Sequence, residues 1–151
     1  MSRTVAYCSL IIFAGVVCAV SATHPVILSD QNIFLKELVS HEIIEILAVI
    51  VSITLSSTSI LHLELNKIEE RYQKRGFDKT RAGIRQAAYW LIALFSISIV
   101  TAVAKASLNL NQFGQSLANG IILLILLWNV LILVSITQAV FAVKPHIDEE
   151  T

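Results

Sequence analysis

His41, Glu45, Ala48, Ser52, Ser56, Ser59, His62 and Asn66 follow one another at steps of three or four residues in an otherwise apolar stretch. On a helix that spacing puts them on one stripe. Imidazole and carboxylate can hold or move protons, and each seryl hydroxyl both donates and accepts. Such a stripe has two readings. Small groups let helices approach closely and hydroxyls bond across the contact. Alternatively the stripe lines a water-filled path, with Glu45, Ser52, Ser56, Ser59 and His62 as pore-lining residues. Ionisable groups at both ends keep the second reading open. His41, Glu42 and Lys105 would then stand at the outer mouth, with Lys105 either snorkelling to the interface or paired with Glu45 or Glu42.

The second concentration of chemistry is basic. Lys67, Arg71, Lys74, Arg75, Lys79, Arg81 and Arg85 face three acids, Glu69, Glu70 and Asp78, over residues 67–85, which leaves a net +4. Attraction to anionic headgroups explains such a cluster at about 1 kcal/mol per residue. The sharper alternative is a docking surface for an anionic nucleotide-type ligand or an acidic cytoplasmic protein. The acidic residues Asp148, Glu149 and Glu150 could neutralise it in place of a ligand.

Catalysis finds less support. There is no Walker loop, nucleophile elbow, CxxC or paired-carboxylate arrangement. His41 and Glu45 share a face but are too few for a closed metal site. The His-Glu-x-x-Glu order at 41–45 lacks the second His of the zinc proteases. Cys8 and Cys18 lie ten residues apart on one helix, too far for a disulfide. The expectation is a protein that is not an enzyme, with no catalytic residue, metal or cofactor.

These groups must be positioned by four apolar blocks, at about 5–22, 43–63, 87–104 and 117–143. The chain has 151 residues, of which 56% are hydrophobic and only 15% charged, with a mean hydropathy of +0.75. A soluble domain carries nearer a quarter charged residues, and a disordered chain lacks the apolar content. A bilayer core takes about twenty apolar residues as a helix. Four spans cannot close a barrel, so backbone satisfaction in lipid demands helices. The fold expected is an all-α membrane protein, one polytopic domain over 1–151, with four transmembrane helices.

Orientation follows from the basic residues. Arg3, Lys144 and the seven of the 67–85 cluster lie on one side, against Lys36 and Lys105 on the other. The positive-inside rule puts both termini and the 64–86 connection in the cytoplasm. The first block also reads as a signal peptide, with Arg3 before an apolar run and a Val20-Ser21-Ala22 cleavage signal. It is taken here as a true span.

Residues 65–75 contain neither Gly nor Pro, so the second helix should run on to Gly76. Asp78 should cap the third. Helices 2 and 3 thus extend into a cytoplasmic hairpin over 64–86. Ser29 or Asp30 should cap an interfacial helix through 31–39 with Ile33, Phe34 and Leu38 as its apolar face, and Ser40 should cap the second span. Asn129, deep in the fourth span, is expected at an interhelical packing contact, with Asn119, Ile122 and Leu126 marking a second packing face. Trp90 fits an aromatic belt, whereas Trp128 is expected to be buried against protein.

Four spans, a polar second helix and the basic 67–85 hairpin together resemble the small four-span, channel-like membrane effectors of bacterial anti-phage defence. The likeness covers the whole chain as architecture. It implies a multi-pass protein of the bacterial cytoplasmic membrane and a homo-oligomeric channel or pore-type effector gated through the basic hairpin. The alternative is a non-conducting anchor or sensor that recruits a cytoplasmic partner.

Overall fold

The computed structural model describes residues 3–72, 78–108 and 110–142. Every regular element among them is helical. In chain order these are α1 (Arg3–Thr23), the single turn α2 (Pro25–Leu28), α3 (Ile33–Glu37), a π-helical turn (Leu38–Glu42), α4 (Ile43–Tyr72), α5 (Asp78–Ser107) and α6 (Gln112–Ala142). The four long helices α1, α4, α5 and α6 are each long and apolar enough to cross a membrane. Large apolar side chains such as Ile11, Ile12, Ile53, Ile60, Val100 and Val103 stand exposed on all sides. In water so much apolar surface would drive aggregation, whereas in lipid it is the expected exterior.

α6 is the hub, and α1, α2, α4 and α5 all pack against it. One core cluster joins Val39, Ile43 and Leu47 to Leu94 of α5 and to Ile122 and Ile125 of α6. A second, further along, joins Val51, Leu91 and Ile136. Trp90 of α5 stacks on Trp128 of α6, with ring centroids 5.6 Å apart and planes inclined at 24°. The indole expected at the aromatic belt and the one expected against protein thus form a single pair.

α1 leans chiefly on α6 because small residues let it come close. Ser21 and Ser116 are buried opposite each other, and the Ser116 hydroxyl donates to that of Ser21 at 2.8 Å. One turn further on, a Cβ added to Gly120 would overlap a methyl of Val17. Ser116 and Gly120 are four apart, the small-xxx-small spacing that membrane helices use for close packing.

The connectors differ from expectation. Asn32, not Ser29 or Asp30, caps α3, its Oδ1 accepting from the Leu35 amide at 3.4 Å. Ser29 instead donates to Val26 O within the preceding turn. Ser40 is no cap: it lies inside the π-turn, donates to Glu37 O at 2.6 Å, and the helix runs unbroken from α3 into α4. Leu35 and Val39 are buried in the bundle, while Ile33 and Phe34, of the apolar face expected to lie on the leaflet, are 70% and 69% exposed.

The π-turn has a geometric reason. Leu35, Val39, Ile43, Leu47 and Val51 are all buried and all four apart. A step of four overshoots the α-helical 3.6, so such a row drifts around an α-helix. One wider i→i+5 turn at 38–42 takes up part of that drift and keeps Leu35 on the core side. The proposed end of the second helix at Gly76 lies outside the described residues, and Asp78 is the first residue of α5.

Gly120→Ala should lower stability by about 1–3 kcal/mol, because the overlap falls on a buried β-branched side chain with little rotamer freedom. Adding Val17→Ala should restore much of that loss. Thermal unfolding of the single and double variants in detergent checks both expectations.

Candidate functional site

α4 presents three faces. Ile43, Leu47, Val51, Thr54, Thr58 and Leu65 are buried in the bundle. Ile46, Ile53 and Ile60, seven apart, form an exposed apolar face. Between the two runs the polar flank: Glu45, Ser52, Ser56, Ser59 and His62 are all exposed, Ser59 and His62 at the edge of a cleft that α5 also borders. Ser59 donates to Leu55 O of its own helix at 3.0 Å. The buried hydroxyls of α4 belong to Thr54 and Thr58, which donate to Ile50 O and Thr54 O, each at 2.6 Å.

The flank also has a seven-residue period. Glu45, Ser52, Ser59 and Asn66 are seven apart, and Ala48, Leu55 and His62 interleave at steps of three and four. That is the a/d pattern of a helix able to supercoil left-handedly with parallel copies of itself. Three of the seam residues, Ala48, Ser52 and Ser59, are small and permit close approach there.

Of the three residues named for the outer mouth, Glu42 and Lys105 have described side chains. Glu42 is exposed on the π-turn, and the side chain of His41 lies outside the described residues. Lys105 pairs with neither Glu42 nor Glu45. Its Nζ lies 2.6 Å from Asp30 Oδ1, and the Lys105 side chain is only 12% exposed. Asn119, fully buried in α6, joins them by donating to Asp30 Oδ1 at 3.1 Å and to Leu28 O at 2.7 Å. The loop after α2, the end of α5 and the start of α6 are thereby latched together. Asp30 precedes the α3 cap Asn32 by two residues, so the latch also fixes where the α3–α4 rod begins.

Burial pushes the Asp30 carboxyl up. The hydrogen bonds from Lys105 and Asn119, with the charges of Lys105 and Lys36, outweigh it and hold its pKa below the usual carboxylate value. Sequence reasoning placed Asp30 as a helix cap and did not join it to Lys105. The faint signal was an acid and a base, Asp30 and Lys105, at the same end of the bundle without an i,i+4 partner of their own.

Asn129 is fully buried, as a packing residue should be, yet its Nδ2 donates to Ile125 O of its own helix at 2.9 Å. Its Oδ1 has no partner among the described residues.

At the opposite, basic end, Arg81 of α5 meets Glu69 of α4 at 2.6 Å and ties the two helices. Lys67 pairs with Glu64 at 2.7 Å on the surface, a contact worth little. Arg71 and Arg85 are exposed. Lys74 and Arg75 lie outside the described residues, as does the side chain of Lys79. Among the described residues no group of three or more His, Cys, Asp and Glu could hold a metal. Comparison with known protein families, with curated proteins and with solved structures finds no match for the chain.

The depressed Asp30 pKa sets a sign. A carboxyl with a folded pKa below its unfolded value of about 3.9 stabilises fully above that value. The contribution is lost as pH falls through the folded pKa, so it should vanish only below about pH 4. Asp30→Asn should remove that segment of the stability–pH curve, read by thermal unfolding from neutral pH downward. Lys105→Met, which strands a partly buried carboxylate, should cost about 2 kcal/mol at neutral pH.

Proposed function

We propose that this four-helix membrane protein works as a homo-oligomeric channel or pore-type effector. Copies assemble through the polar flank of α4, so that Ser52, Ser56 and Ser59 face a shared aqueous axis. Glu45, with His41 and Glu42 near it, stands at one mouth. The basic end, cytoplasmic by the positive-inside rule, receives the input that opens or closes the path.

One observation carries this reading: the polar flank of α4 is left uncovered by its own chain. Carboxylates, imidazoles and rows of hydroxyls are unfavourable against lipid and characteristically face protein or water. The seven-residue period gives that face a way to pack on parallel copies of itself. Lys67 and Arg81 already hold acidic partners, so among the described residues Arg71 and Arg85 stand exposed to an incoming anion or acidic protein, with Lys74, Arg75 and Lys79 adding to the charge of the same sequence segment. Clustered around an axis, these would repel until an anion bridged them, which supplies a physical route from ligand to pore geometry.

Cys8 and Cys18 are free, so a Cys8→Ala/Cys18→Ala background allows single cysteines to be placed at will. In membranes, Ser52→Cys and Ser59→Cys should crosslink between copies on oxidation, whereas Ile53→Cys and Ile60→Cys should not. In planar bilayers the parent protein should pass current and Ser56→Leu should abolish it. Crosslinking at Ser52 without any current would leave a non-conducting anchor. Crosslinking confined to Ile53 and Ile60 would remove the α4 axis altogether.

A further inference from the structure

A cleft of about 800 Å³ opens between α4 and α5 towards the basic end. Two fixed points hold the helices apart around it. On one side of the cleft Val51 and Leu91 share a core cluster, and on the other Arg81 grips Glu69. Between them the facing residues include Thr58, Ser59, Ala82 and Ala88. These short side chains, set among larger ones such as Leu55, Ile84 and Tyr89, leave part of the space between the helices unfilled.

The cleft is graded in chemistry. At the basic end its wall carries Arg85, Arg81 and His62, and at the deep end Leu55, Ala88 and Ile92. Arg85 is exposed and has no ion-pair partner among the described residues. From Arg85 to Ile92 is seven residues, or about 10 Å along the helix. The cleft therefore offers a cation at the level of the interface and an apolar slot running inward from it. A soluble anion would use only the first. An anionic phospholipid uses both, its phosphate at Arg85 and an acyl chain along Ala88 and Ile92. Basic pockets between membrane helices recognise anionic headgroups in this way.

We infer that the α4/α5 cleft is a binding site for one anionic phospholipid, with Arg85 as the phosphate ligand and the Ala88–Ile92 wall as the chain slot. The inference rests on the membrane-spanning fold and is independent of whether the protein conducts.

Native mass spectrometry of the full-length protein, titrated with phosphatidylglycerol or phosphatidylcholine of identical chains, tests it. Phosphatidylglycerol should bind to a single saturable site in preference to phosphatidylcholine. Arg85→Gln should weaken it about five-fold, the worth of one basic residue at the interface. Ala88→Trp, which changes no charge but plugs the slot, should abolish the preference. If Ala88→Trp fails to fold by circular dichroism, Ala88→Leu gives the same reading with a smaller plug. A preference that survives the plug would mean attraction to the basic surface alone and would overturn the site. So would equal competition by the soluble glycerophosphoglycerol headgroup, which would make it a free-phosphate site. A saturable preference weakened by Arg85→Gln and lost in Ala88→Trp, with the soluble headgroup a poor competitor, supports it.

Discussion

A polar group inside a bilayer has no water to turn to, so it must find its partner in the protein. α6 meets that constraint at the Asp30 end for four elements at once. Ser116 answers Ser21 of α1. Asn119 donates both amide hydrogens, one to Leu28 O and one to Asp30, and Asp30 takes the ammonium of Lys105 from α5. Gly120 lets α1 lie close enough for the first of these bonds. Remove α6 and the seryl pair, the carboxylate and the loop carbonyl would each lose a partner in an environment where such losses are costly. The hub is therefore polar at one end and, Asn129 apart, apolar further along, where Ile122, Ile125 and Ile136 carry the packing.

α4 is held differently. Its core face is mostly aliphatic and its buried threonines bond to their own backbone. Among the described residues, the polar group of α4 that ties it to another helix is Glu69, which reaches Arg81 at the basic end. The polar groups of its flank are thus surplus to the monomer. Chains retain ionisable groups in spanning helices where these meet protein, water or each other. That surplus, more than the presence of serine as such, points outward from the single chain.

The four spans were legible because hydropathy acts locally and the bilayer sets its length scale. The blocks 5–22, 43–63, 87–104 and 117–143 lie within α1, α4, α5 and, but for its last residue, α6. The run-on of α4 beyond the apolar block, at least to Tyr72, was legible too, in the absence of Gly and Pro after Leu63. What local pattern did not carry was any contact between segments far apart in sequence. Lys105 and Asp30 are 75 residues apart and meet only because α2 and the following loop fold over α6. Ser40 has the composition of a cap, but burial of Val39 and Ile43 on either side kept the helix continuous and turned the cap site into a π-turn. Trp90 and Trp128 stack because antiparallel α5 and α6 bring them to one level, a register that no single helix encodes.

Ser59 and His62 belong to two surfaces. They stand on the exposed flank of α4 and also on the wall of the α4/α5 cleft. A molecule seated in the cleft and a second copy packed on the flank would touch the same two side chains. Whatever free energy one occupant adds to or takes from the other must then be returned in equal measure, because linkage is reciprocal. α5 has room to take part. It is anchored to α4 near Leu91 and again at Arg81, and the short side chains between them leave the spacing of the two helices sensitive to what fills it. Were both sites occupied as proposed, the composition of the surrounding lipid and assembly through α4 would be two sides of one equilibrium, meeting at the short stretch of α4 from Ser59 to His62.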